Sequence, residues 1–269
     1  MKIAFIGGGN MGEAMLAAIL GKGLGQARDI SVSDVSDVRR QHLKQKYGVT
    51  LTGDNRQAAA GSEVIVLAVK PQSLVGVLTE LNSQLKPAQL VLSIIAGATI
   101  KTLASGLKHG RIVRAMPNTP AQIGEGMTVW TAANEVTGQQ KEQAGSILGA
   151  LGKEIYVADE KYLDMATAVS GSGPAYFFLF VETLTEAAVS IGLARDVARE
   201  LVLQTMLGAG HLIRQSGKEP SELRRMVTSP GGTTAEALRQ FEKGDLAGLV
   251  RQAVMAAYRR AQELGSGPG

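Results

Sequence analysis

Two glycine-rich turns carry the residue types that could bind anions. The first, "IGGGNMG", runs from Ile6 to Gly12, and the second, "SPGGTTAEAL", from Ser229 to Leu238. A glycine turn that opens a helix gathers free backbone N–H groups at the positive end of the helix dipole. Gly7, Gly9 and Gly12 fit the spacing G-x-G-x-x-G, with Gly8, Asn10 and Met11 between them. The motif follows a predicted strand and opens a predicted helix, which is the context of a dinucleotide pyrophosphate site. Asp34 ends the next predicted strand, where an acid accepts the ribose 2′-OH and favours NAD. Arg39 and Arg40 follow and suit the 2′-phosphate of NADP, so both coenzymes stay open. "AVKP", Ala68 to Pro71, ends a third strand at the edge of the same expected crevice. The competing readings are a structural turn at Gly7–Gly12, a solvated lysine at Lys70 and a plain helix cap at 229–234.

Other reactive types are scarce. There is no cysteine, so thiol chemistry and disulfides are excluded, and His42, His109 and His211 share no metal-ligand spacing. No metal site is expected. Ser170 and Ser172 in "SGSGPA" either cap the helix that follows or touch substrate. Glu182 and Glu186 stand four apart on that helix and repel unless paired across an interface or turned to solvent.

The elements that must hold these turns differ between the two halves. Residues 2–7, 29–34, 63–69, 90–95 and 111–116 are short Val- and Ile-rich runs that read as buried strands, and 126–132 and 153–159 extend the series. Helical patterns at 10–21, 36–47, 71–84 and 137–150 lie between them. Such alternation predicts an α/β Rossmann domain with a mostly parallel, doubly wound sheet. Beyond about residue 160 only helices are predicted: one from Pro174 to Gly192, one over 194–217, short ones opened by Pro220 and by Thr233 or Thr234, and a last one over 245–264. The expected division is residues 1–160 for the coenzyme and 161–269 for an all-α dimerisation and substrate domain. The tail 265–269 reads as a frayed end. The helix after Pro174 carries Phe177, Phe178 and Phe180 and is apolar nearly all round. A small helical domain does not readily enclose such a helix, so burial against a second subunit is expected.

Composition is that of an ordinary globular chain, with 45% apolar and 19% charged residues over 269 positions. A 4% aromatic content and a thin net charge of +4 offer no nucleic-acid platform. No apolar run approaches the ~20 residues that span a bilayer, and the glycines at 7–9 interrupt any signal-peptide core. A soluble cytoplasmic protein is expected.

The segments "IGGGNMG", "LAVKPQ", "RAMPNTP", "SGSGPAYFF" and "VTSPGGTTAEAL" stand in the order and spacing of pyrroline-5-carboxylate reductases, a family this chain resembles over nearly its whole length. The resemblance implies reduction of 1-pyrroline-5-carboxylate to L-proline with NADPH or NADH, the last step of proline biosynthesis. It also implies a homodimer or larger homo-oligomer, with the active site between the Rossmann and helical domains. By position, Ile6, Gly7, Gly8, Gly9, Asn10 and Met11 would line the pyrophosphate turn. Asp34 falls at the adenosine ribose, and Asn55, Ala68, Val69, Lys70, Pro71, Ala96 and Gly97 would follow the coenzyme. Glu160, Thr233 and Thr234 would face the substrate. Met226 stands where some relatives have an asparagine that touches coenzyme.

Under that resemblance the second turn would hold the substrate carboxylate through the backbone of Ser229, Gly231, Gly232 and Thr233. Thr234 is the first choice for the hydroxyl at the imine nitrogen and Ser172 the second. Two rival readings are a β-hydroxyacid dehydrogenase-like enzyme and a non-catalytic nucleotide-binding redox sensor. The first needs a lysine on the long interdomain helix, and residues 174–192 contain none. The second is opposed by the intact "SPGGTT".

Overall fold

A computed structural model describes residues 1–266. The strands are β1 (Ile3–Ile6), β2 (Ile30–Ser33), β3 (Thr50–Thr52), β4 (Val64–Leu67), β5 (Leu90–Ser93), β6 (Ile112–Met116), β7 (Gly126–Ala132) and β8 (Gly152–Tyr156). They form one eight-stranded sheet in the order β3-β2-β1-β4-β5-β6-β7-β8. Neighbours run parallel except β6 and β7. The order reverses between β1 and β4, which opens a crevice at the strand C-termini.

The near-continuous apolar strands follow from burial on both faces. Ile3 and Phe5 of β1 join Val64, Val66, Leu90 and Leu92 in one core. The alternate residues Ala4 and Ile6 join Ile65, Leu67 and Val91 in the other. Helices α1 (Asn10–Gly21), α2 (Asp37–Tyr47), α3 (Asn55–Ala59), α4 (Leu74–Leu81), α5 (Ile100–Leu107) and α6 (Gly138–Gly149) lie between the strands in sequence. Their starts carry local signals: Ser36 caps α2, Asp54 caps α3, Thr99 caps α5, and Thr137 with Gln140 makes a capping box on α6. The helix expected over 71–84 is shorter: Pro71–Ser73 make a tight 3-10 turn and α4 follows.

The later helices are α7 (Lys161–Ala166), α8 (Gly173–Ser190), α9 (Arg195–Ser216), α10 (Pro220–Met226), α11 (Thr233–Lys243) and α12 (Leu246–Ser266). A wide π-helical turn, Thr167–Gly171, joins α7 to α8. Ser172 keeps right-handed backbone angles and donates its N–H to Thr167 O at 2.8 Å. The chain therefore enters α8 from a preceding helical turn, and Ser170 is not a cap at its start. Gly265 and Ser266 belong to α12 rather than to a frayed tail, and the rest of the expected tail lies outside the described residues.

The chain divides into two compact units. One comprises Met1–Ser172 with the residues from Ala257 onward, and the other Gly173–Ala256. In the second unit α8 exposes Phe177, Phe178, Leu179 and Phe180, each by about half or more. Glu186 of α8 takes a two-pronged ion pair from Arg195 of α9, at 2.6 and 3.0 Å. That contact lies within the chain, and it holds the Glu186 carboxyl below the usual carboxylate range. No helix among the described residues is long and apolar enough to cross a membrane.

Candidate functional site

The first glycine turn sits at the C-terminal end of β1. Gly7 has φ +101°, and a Cβ there would stand 2.7 Å from Ala68 O; a Cβ on Gly12 would stand 2.5 Å from Gly7 O. Only glycine allows this turn and this close seating of α1 on the strands. Gly9 is the N-cap of α1, no side chain caps the helix, and the space beside Gly9 is open. The uncapped first-turn N–H groups suit a pyrophosphate, so the residues present fit a dinucleotide.

Most residues assigned to the coenzyme from the sequence come together along one edge. Gly7 N–H donates to Ser33 O at the end of β2, Ala68 N–H to Ile6 O, and Ile94 N–H to Leu67 O. The ends of β2, β1, β4 and β5 thus lie side by side. They carry Asp34, then Ile6 with the turn Gly7-Gly8-Gly9-Asn10-Met11, then Ala68, Val69, Lys70 and Pro71, then Ala96 and Gly97. Gly97 packs against Leu264 of α12, where a side chain would collide. Asn55 begins α3 and donates its side-chain amide to Glu80 of α4 at 2.6 Å. Lys70 is exposed and precedes the Pro71 turn.

The Asp34 corner is tightly bonded. Asp34 Oδ2 accepts Gly8 N–H and Oδ1 accepts Ser36 N–H, each at 2.8 Å. Arg40 donates to Asp34 O and to Asp37. Arg39 donates to Gly8 O and to Glu13 of α1. Glu13 is an acceptor for four side chains: Arg39, Lys46 (2.9 Å), Tyr47 (2.9 Å) and His42 (3.3 Å). Burial opposes the charged carboxylate, but the bonds from Lys46, Tyr47, His42 and Arg39 outweigh it and hold Glu13 at about 2. Sequence reasoning missed Glu13, which had no motif to mark it.

The second turn opens α11. Gly231 has φ +69°, Gly232 is the N-cap without a side-chain cap, and Gly232 N–H donates to Ser229 O at 3.1 Å. A Cβ on Gly232 would stand 2.5 Å from Ser229 Oγ. Thr233 and Thr234 are the first two residues of the helix; Ser229 and Thr233 are exposed in the single chain and Thr234 is half-buried. The N–H groups of this first turn are uncapped in the same way as those of α1. Met226 ends α10 and is exposed.

Glu160 immediately precedes α7. Its Oε1 accepts Ile100 N–H at the start of α5 (2.8 Å) and Arg114 Nη1 (2.9 Å). Arg114, on β6 and only 4% exposed, also donates to Asp164 of α7 at 2.8 Å. Asn118, from "RAMPNTP", donates its amide to Ser170 O (3.2 Å) and Oγ (3.3 Å) and accepts Met127 N–H at 2.9 Å. It ties the π-helical turn beside Ser172 to β7, and such turns often mark functional sites. Neither Arg114 nor Asn118 was anticipated as a support. Among the described residues no cluster of His, Asp or Glu could hold a metal ion.

Comparisons with known proteins agree with this layout. The family description "Pyrroline-5-carboxylate reductase dimerisation" matches residues 160–264, and "NADP oxidoreductase coenzyme F420-dependent" matches residues 2–97. A pyrroline-5-carboxylate reductase of Pseudomonas aeruginosa is 42% identical over 98% of this chain and 96% of its own length. One from Synechocystis is also 42% identical, over 98% of each. The structure of such a reductase from Coxiella burnetii superposes with a TM-score of 0.88 at 41% identity, covering 98% of both chains. A Plasmodium falciparum pyrroline carboxylate reductase solved with NADP bound gives 0.90 at 32% identity, again over 98% of both. This chain belongs to the pyrroline-5-carboxylate reductase family.

Proposed function

We propose that this protein reduces 1-pyrroline-5-carboxylate to L-proline with NADPH or NADH, as a homodimer or larger homo-oligomer in the cytoplasm. The observation that carries the reading is a pair of uncapped helix N-termini, at Gly9 and at Gly232, in a member of this family. The dehydrogenase and redox-sensor readings gain nothing from the site.

The turn Gly7-Gly8-Gly9-Asn10-Met11 would hold the coenzyme pyrophosphate, with Asp34 at the ribose and Asn55, Ala68, Val69, Lys70, Pro71, Ala96 and Gly97 along its length. When bound, the reduced nicotinamide supplies the two-electron reducing equivalent. The backbone of Ser229, Gly231, Gly232 and Thr233 would hold the substrate carboxylate with N–H groups and the α11 dipole. Thr234 Oγ1 would relay a proton to the imine nitrogen and then accept the iminium N–H, which favours the protonated form, with Ser172 the second candidate. Glu160 would border the substrate through the carboxylate edge not engaged by Ile100 and Arg114. No strong acid is required, because the basic nitrogen of a cyclic imine takes its proton from water and the protein chiefly fixes the two rings. The test follows NAD(P)H oxidation at its near-ultraviolet absorbance with and without pyrroline-5-carboxylate. Oxidation that does not depend on the imine would overturn the assignment.

A further inference from the structure

Two arginines flank the ribose corner at the end of β2, and a free guanidinium there would attract a 2′-phosphate. Neither is free. Arg40 is bonded to Asp34 O and paired with Asp37, both close to it in sequence. Arg39 is held from the other side, by the carbonyl of Gly8 and by Glu13 on α1. Glu13 is itself fixed, because Lys46, Tyr47 and His42 bind its second oxygen from the far half of α2. The carboxylate therefore draws Arg39 toward the α1–α2 seam, while Asp34 presents its acid at the strand end. Lining this seam is a cavity of about 310 Å³ that includes Asn10, Glu13, His42, Lys46 and Tyr47.

We propose that Glu13 sets the coenzyme preference of this chain by pinning Arg39, which leaves Asp34 to read the ribose and favours NADH over NADPH. Glu13 acts here as a positioning residue. It needs no contact with the coenzyme, only its ion pair with Arg39, one of the two guanidinium groups that could otherwise serve a 2′-phosphate. The proposal rests on the assignment of the Asp34 corner to the adenosine ribose.

The experiment measures dissociation constants of NADH and NADPH by fluorescence titration, in parallel with kcat/KM. Glu13→Gln keeps the side-chain shape and removes the charge. NADPH binding should strengthen relative to NADH by about tenfold or more, the size expected when one charge-assisted bond becomes available. In the unmodified background, Arg39→Met should leave the NADPH/NADH affinity ratio unchanged, because Arg39 is already committed. In the Glu13→Gln background the same change should erase the gain. Equal loss of both coenzymes in Glu13→Gln overturns the proposal and assigns Glu13 a structural role. A gain that survives without Arg39 also overturns it, by pointing to general local potential from Lys46 and His42. Should Glu13→Gln not fold, Arg39→Met alone decides, since selective loss of NADPH affinity would show that Arg39 is free to bind it. Asp34→Ser separates the levels: it should move the ratio toward NADPH by about tenfold, by removing a carboxylate that repels a 2′-phosphate. If Asp34→Ser moves the ratio and Glu13→Gln does not, the proposal fails and the corner assignment stands. If neither moves it, both fall.

Discussion

Thr234 stands at the second position of α11, just after the N-cap Gly232, with its side chain half-buried. A hydroxyl there can reach a group held by the first-turn N–H set without being needed to cap the helix. Thr234→Val keeps the volume and removes the hydroxyl. Loss of one hydrogen bond to a charged group corresponds to about 1.5–3 kcal/mol, so kcat/KM for the imine is expected to fall roughly 10- to 150-fold. Coenzyme dissociation constants should hardly change, since the phosphates are assigned to the Gly7–Gly12 turn. Parallel loss of coenzyme affinity would move the second turn to the coenzyme, and an intact rate would reduce Thr234 to a helix residue. Glu160 shows the opposite situation. Its Oε1 already supports α5 and the buried Arg114, so any substrate contact comes on top of a supporting duty. Removing Glu160 would leave the buried Arg114 with Asp164 as its remaining acidic partner and would free the Ile100 N–H, and the resulting disturbance would confound a kinetic reading of a Glu160 variant.

Between elements, the Glu13 cluster clamps α1 to α2 beside the first glycine turn. Arg39, His42, Lys46 and Tyr47 all belong to α2, so one carboxylate ties three of its turns to the first turn of α1. The Glu13 carboxyl lies at about 2 in the folded chain against an ordinary 4.5. A depressed folded value stabilises the fold above the ordinary value, and that stabilisation is lost as pH falls from 4.5 toward 2. The parent should therefore be more stable than Glu13→Gln at about pH 5.5, and the gap should shrink by roughly 1–2 kcal/mol at about pH 3, a figure reduced for the partly solvated cluster. Urea unfolding at the two pH values measures it. A gap that stays constant with pH would mean that the charge on Glu13 does not hold the helices together.

At the scale of the whole molecule, the exposed aromatic face of α8 is too large to leave in water. Phe177 and Phe178 are 64% and 63% exposed, Leu179 is 62%, and Phe180 is 49%. Contiguous apolar surface of this kind marks an interface, and the family description that matches 160–264 names dimerisation. A second copy of the chain is the occupant we propose. Phe178→Glu would bury an unpaired carboxylate there, at a cost of several kcal/mol. Sedimentation of this variant should show loss of the dimer or of the folded protein. If the unmodified protein sediments as a folded, active monomer, the face serves something else.

Local pattern by itself determined much of this protein. The strands β1, β2 and β4 to β8, the two glycine turns and the long helices α8, α9 and α12 were legible because each depends on neighbours in sequence: hydrophobic period, glycine spacing, proline and cap residues. β3, α3 and α5 were not legible. β3 has three residues and lies at the sheet edge, and α3 has five, too few for a period to emerge. Lys161–Gly171 gave no sign that a π-helical turn would precede α8. The tertiary structure alone decided which side chains meet across the fold. Glu13 finds Arg39 because parallel pairing of β1 with β2 sets their following helices side by side. Glu160 finds Arg114 and Ile100, and Asn118 finds Ser170, through the order of strands and the path of α7. Such contacts join segments far apart in the chain, and no local propensity encodes a partner that only strand order brings within reach.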